Sequence, residues 1–135
     1  MDERRKHPRY KIVTRVDVRF PHLLGWAPSI IGNTVDVSRE GLAVVLYRGK
    51  ETTKLVQRLL SKDQSLKVTL ELPETGERIE GKGTVKWLDI GPAAAAGSYI
   101  RVGIFLEQMN DENRAKWRHL MEDRDRVTRQ DAPSE

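Results

Sequence analysis

Apolar and polar residues alternate with a period of two along much of the chain. In Lys11–Phe20, Ile12, Thr14, Val16, Val18 and Phe20 share one face, and Lys11, Arg15, Asp17 and Arg19 project from the other. Ser65–Leu72 repeats the pattern with Leu66, Val68, Leu70 and Leu72 against Lys67, Thr69 and Glu71. Glu77–Leu88 continues it, with Ile79, Val85 and Trp87 opposite Arg78, Glu80, Lys82, Thr84 and Lys86. Such alternation predicts antiparallel strands buried on one face. Leu42–Tyr47 and Ser98–Leu106 are more continuously apolar and predict further strands, and Asn33–Val37 predicts a short one. Pro73-Glu74-Thr75-Gly76 reads as a hairpin turn. Five or six short strands without regular intervening helices predict a closed or nearly closed barrel, an arrangement that leaves no exposed strand edges.

Two segments carry helical spacing. Glu51–Lys62 gathers Leu55, Val56, Leu59 and Leu60 on one face. Asp111–Val127 does the same with Trp117, Leu120, Met121 and Val127, and Asn110 or Asp111 is placed to cap it. These apolar residues are expected to pack on the barrel. Pro21–Ile31, apolar for a loop, is expected to fold over the barrel mouth with Trp26, in preference to facing a partner. Gly91–Gly97 reads as a flexible loop. The expected division is a flexible ligand-binding segment at 1–10, a barrel with its helix at 11–128, and a disordered tail at 129–135.

The 135 residues suffice for one domain with a real core. The absence of cysteine excludes disulfides and thiolate chemistry. No apolar run is long enough for a signal peptide or a membrane span, so a cytoplasmic protein is expected. Charge is uneven: residues 1–19 hold seven Lys/Arg against three acids, a net +4 that equals the formal charge of the whole chain. An anionic ligand should therefore meet the N-terminal segment first.

Two short motifs carry candidate chemistry. One is Arg5-Lys6-His7-Pro8-Arg9, an Arg-x-x-x-Arg unit preceded by Arg4. Its spacing alone is unspecific, since Arg15/Arg19 and Arg114/Arg118 share it, and a solvated basic tail would contain it too. The other, Asp36-Val37-Ser38-Arg39-Glu40-Gly41, has the form Asp-x-Ser-x-x-Gly and occurs once. As an ordinary turn it would use Asp and Ser to cap backbone groups and Gly for a positive φ.

Together these motifs, in this order, resemble the PilZ domain family. The resemblance spans nearly the whole chain and includes Gly83-Thr84-Val85-Lys86-Trp87, Val102-Gly103-Ile104-Phe105 and the closing helix. It implies a mainly β, six-stranded antiparallel barrel with a C-terminal α-helix that binds cyclic di-GMP through Arg5, Arg9, Asp36, Ser38, Arg39 and Gly41. The arginine at position 4 further implies two intercalated copies of the ligand. The chemistry is consistent: guanidinium groups fork onto phosphates and stack on purines. A carboxylate at Asp36 can accept from the N1–H and amine of guanine, Ser38 can hydrogen-bond phosphate or base, and Gly41 lets backbone approach the ligand. The expected role is a receptor or adaptor, not an enzyme, signalling to an unidentified protein in motility, biofilm or exopolysaccharide control. A monomer or weak homodimer without cofactor or metal is expected.

Two other readings compete. A PilZ-like adaptor that binds no ligand would use the same fold, but both motifs are intact. A basic nucleic-acid binder would explain the pI near 9.5, yet aromatics are only 6% and residues 20–135 are charge-balanced. His7, His22 and His119 are scattered, without metal-ligand spacing, and no nucleophile elbow or phosphate loop occurs.

Overall fold

The alternating runs become strands because each buries one row of side chains and leaves the other to water. The computed structural model of the chain describes residues 8–22, 25–26, 29–47, 57, 65–90 and 99–131. Its strands are β1 (Tyr10–Lys11), β2 (Arg15–Arg19), β3 (Pro21–His22), β4 (Gly25–Trp26), β5 (Ile30–Val37), β6 (Gly41–Tyr47), β7 (Leu66–Glu71), β8 (Arg78–Ile90) and β9 (Tyr99–Gln108). One helix, α1 (Asp111–Asp131), follows. The sheet runs β5-β2-β7-β8-β9-β6, and β6 pairs back onto β5. All pairings are antiparallel, so six strands close into a barrel.

Inward residues fill the barrel with Val16, Val18, Phe20, Val44, Leu46, Leu66, Val68, Leu70, Ile79, Ile100 and Val102, all nearly inaccessible. The helix closes one end by adding Trp117, Leu120 and Met121 to this core. Its N-cap is Asn110, whose Oδ1 accepts the Asn113 backbone N–H at 2.8 Å. Asp111 and Glu112 in the first turn suit the positive end of the helix dipole.

The structure departs from the sequence-based expectation in several places. The single run Lys11–Phe20 is broken into β1 and β2, both paired with β5. The buried Thr34 side chain bridges the break: its hydroxyl accepts from Thr14 N–H at 3.0 Å and donates to the Ile12 carbonyl. Ile12 stays inside while Val13 turns out to 75% exposure. The barrel also begins at Tyr10, buried and paired with Val37, one residue earlier than expected. Within Pro21–Ile31, most of the described residues lie in strands, where a loop was expected. β3 and β4 form a small hairpin ladder, Gly25 takes a positive φ of 134°, and β5 starts at Ile30. Glycine alone adopts that backbone without strain. The Trp26 side chain lies outside the description.

Helix α1 extends to Asp131, past the expected end, because propagation needs only helix-forming residues and not a further apolar position. Tyr10 Oη donates to Asp125 at 3.0 Å and anchors the distal half. The expected helix at 51–62, apart from Gln57, and the expected loop at 91–97 lie outside the described residues. No helix among the described residues is long and apolar enough to cross a membrane.

A candidate ligand shelf on the outer barrel wall

Two β-bulges decide which side chains reach the outer wall. In β5, Thr34 pairs with Val44 and Asp36 with Ala43, so Val35 is an extra residue. Thr34 points inward, and unbroken alternation would turn Asp36 inward with it. The bulge shifts the phase, so that Val37 is buried and Asp36 faces out. In β8, Val85 pairs with Ile104 and Trp87 with Gly103, leaving Lys86 as the extra residue. Leu88, not Trp87, then packs against the core, and Trp87 is 37% exposed on the outside. The expectation that Trp87 shares the face of Ile79 and Val85 is therefore corrected, because the bulge inverts the alternation beyond Val85.

The outward residues line up across the sheet. Asp36 pairs with Ala43, Ala43 with Gly103, and Gly103 with Trp87. Three strand spacings separate the ends of this row, roughly 14 Å. Its middle is made of two small residues, Ala43 at 4% exposure and Gly103, both buried in this state, and Phe105 borders it at 38% exposure. The Trp87 indole lies across Gly103: a Cβ there would meet indole Nε1 at 2.2 Å and Cε2 at 2.3 Å.

At the acidic end, Arg9 Nη1 donates to Asp36 Oδ1 at 2.8 Å, with both side chains about three-quarters buried. Residues from both sequence motifs thus meet directly. The turn after Asp36 is closed by Ser38 N–H donating to the Gly41 carbonyl at 2.8 Å, and the Ser38 hydroxyl accepts from Glu40 N–H at 3.3 Å. Gly41 does not use a positive φ. A Cβ there would sit 1.9 Å from the Ile104 carbonyl oxygen, so glycine is required by the close approach of β9. Lys86 Nζ lies 3.6 Å from the Glu40 carboxylate and brings the bulge beside this turn.

Arg9, Ser38, Gly41, Trp87, Gly103 and Phe105 line a cleft of only about 30 Å³. That is room for only a few waters. Anything larger must lie on the shelf, against the exposed aromatic faces. Of the residues expected at the site, Arg9, Asp36, Ser38 and Gly41 gather here, whereas Arg39 lines a different cleft. Arg4 and Arg5 lie outside the described residues. Sequence reasoning did not assign Trp87, Gly103, Phe105 or Lys86 to the site. Their signal was present in the two motifs quoted for the resemblance, but the bulge that exposes Trp87 has no mark in the alternation. Among the described residues, no three His, Asp or Glu side chains gather to hold a metal.

A closed antiparallel barrel, capped by one helix and carrying an arginine–aspartate pair on its outer wall, defines the architectural class. The chain belongs to the PilZ domain family, whose model, described as "PilZ domain", matches residues 3–123. Solved structures share the fold. The PilZ domain with c-di-GMP of YcgR from Escherichia coli has a TM-score of 0.59 at 9% identity, covering 94% of this chain and 95% of that one. The K. pneumonia MrkH–c-di-GMP complex has a TM-score of 0.67 at 19% identity, covering 95% and 55%. The Bacillus subtilis inhibitor of motility, MotI/DgrA, has a TM-score of 0.64 at 18% identity, covering 96% and 53%. The chain thus spans about half the length of MrkH and MotI. No curated protein matches the sequence significantly.

Proposed function

We propose that the chain is a cyclic di-GMP receptor that binds its ligand on the shelf between Asp36 and Trp87 and acts through a protein partner in the cytoplasm, without catalysis. The observation that carries this reading is the outward row Asp36–Ala43–Gly103–Trp87. A hydrogen-bond acceptor for guanine and an aromatic face for stacking stand at its two ends, over a floor of small residues. Structural neighbours solved with c-di-GMP, YcgR and MrkH, support the assignment of the ligand.

In this state Arg9 and Asp36 satisfy each other, so the ligand must divide them. A partly exposed pair of this kind contributes about 1 kcal/mol. Its replacement by phosphate on Arg9 and a guanine edge on Asp36 offers about 1.5–3 kcal/mol for each charge-assisted bond. Stacking on Trp87 adds about 1–3 kcal/mol per base. Arg5, four residues before Arg9, and Arg4 beside it would close over the ligand from the N-terminal side, with Arg4 favouring an intercalated pair of ligands. Ordering that segment costs about 1–2 kcal/mol per residue and offsets part of this gain. The reordered segment would present the new surface a partner reads.

Calorimetric titration with cyclic di-GMP, beside GTP and an Arg5→Ala/Arg9→Ala variant, tests this proposal. Saturable heat with wild type alone, absent with GTP, is expected, and a stoichiometry near two would support the role of Arg4. Absence of heat with folded wild-type protein would favour an adaptor that binds no nucleotide.

A further inference from the structure

A second cleft, of about 290 Å³, lies on the other side of the Ser38–Gly41 turn. Arg39 reaches it from that turn, and Arg114 and Arg118 from α1. The four-residue separation of Arg114 and Arg118 places both guanidiniums on one helix face. Among the described residues, the only carboxylate lining the cleft belongs to Glu107, which accepts from Thr84 Oγ1 at 3.1 Å. Arg9, Arg15, Arg124 and Arg126 each pair with a carboxylate. Arg39 and Arg118, like Arg19, Arg78 and Arg101 elsewhere, have no ion pair among the described residues, and Arg114 reaches only the Met109 carbonyl, at 3.4 Å; what sets this cleft apart is that three such arginines converge on it. Trp117 lines the same cleft at 6% exposure, and its indole N–H has no hydrogen-bond partner. A buried, unsatisfied donor is costly and gains from any acceptor that reaches it.

We infer that this cleft is a second anion site, separate from the shelf, that takes a phosphate-class anion on Arg39, Arg114 and Arg118, with Trp117 Nε1 as an additional donor. Three guanidinium forks supply more donors than one carboxylate can accept, whereas the several oxygens of a phosphate or pyrophosphate match them. A flat acidic surface of another protein would satisfy the exposed arginines and leave the buried indole N–H unreached. The inference stands whatever the shelf binds.

The test is an NMR titration of the full chain with inorganic pyrophosphate, at ionic strength held constant with sodium chloride. The chain has three tryptophans, so three indole N–H signals arise, and a Trp117→Phe variant identifies the relevant one. A saturable shift of that signal is expected, at least about tenfold weaker in Arg114→Gln/Arg118→Gln and retained in Asp36→Ala. Arg114 and Arg118 are exposed and Asp36 lies on the outer wall, so those variants should keep the wild-type amide spectrum elsewhere, whereas Trp117→Phe, a core substitution, serves only to assign the indole signal. A shift that does not saturate, that chloride reproduces, or that survives the double substitution overturns the inference. Loss of the shift in Asp36→Ala overturns the separation from the shelf, and cyclic di-GMP competing for the Trp117 signal does so equally.

Discussion

Substitution of Gly103 by alanine probes the shelf at its most constrained point. The new Cβ would lie 2.2 Å from Trp87 Nε1, and ordinary contact begins near 3.4 Å, so the indole must retreat by about 1.2 Å or swing away. A tryptophan buries about 150–250 Å² when enclosed, and Trp87 is 37% exposed, so roughly 150 Å² is at stake. Loss of half of this area costs about 2 kcal/mol at about 25 cal/mol per Å². Against this, replacing glycine reduces unfolded-state entropy and returns about 0.4–1 kcal/mol. A net destabilisation of about 1–1.5 kcal/mol is expected by urea denaturation. Cyclic di-GMP affinity should fall by the value of one stacking contact, about 1–3 kcal/mol or roughly 5- to 150-fold by calorimetry. The decisive assay is a double-mutant cycle. With Trp87→Ala already present, the three atoms nearest the new Cβ are gone, so Gly103→Ala should be neutral or slightly stabilising and should not weaken binding further. Additivity of the two substitutions within about 0.5 kcal/mol would refute the reasoning, because it would mean the residues act independently.

Other substitutions address the supporting structure. Gly41→Ala forces a Cβ to within 1.9 Å of a backbone carbonyl that cannot rotate away. It should destabilise the barrel by about 2–3 kcal/mol, and an unchanged urea midpoint would contradict the close-approach account. Thr34→Val keeps the shape but leaves the Ile12 carbonyl and Thr14 N–H without their side-chain partner. A loss of about 1–3 kcal/mol is expected, with faster amide exchange at residues 12–14. Asp36→Asn keeps a hydrogen-bonding group but removes the charge paired with Arg9. Fold stability should change by no more than about 1 kcal/mol, while cyclic di-GMP affinity falls by about 1.5–3 kcal/mol, and calorimetry on the folded variant separates the two.

Much of the barrel was legible because its strands bury one face each. The period-two runs around Val16, Val68 and Ile79 translate directly into inward rows, and the Pro73–Gly76 turn joins β7 to β8 in the expected hairpin. Period two is blind to inserted residues. Val35 and Lys86 each look like one more member of an alternating run, yet each reverses the faces beyond it, which hid the exposure of Trp87. The break between β1 and β2 was likewise invisible, since Ile12 and Val16 keep the same parity across it. At the site, the family resemblance implied that Arg9 and Asp36 serve one ligand, and pairing of β1 with β5 is what brings these segments, 27 residues apart, into contact. The resemblance could not show that neighbouring residues of one turn diverge, with Ser38 lining one cleft and Arg39 another. Nor could it separate a glycine needed for its φ from one needed for lack of a side chain, the case at Gly41.

The central claim is that the ligand lies on the outer wall between Asp36 and Trp87. NMR titration of the assigned protein with cyclic di-GMP tests it most directly. The account predicts saturable shifts at the amides of residues 36–43 and 103 and at the Trp87 indole, with the Arg9–Asp36 pair broken. Saturable binding whose shifts avoid this row, or no binding by the folded chain, would contradict it.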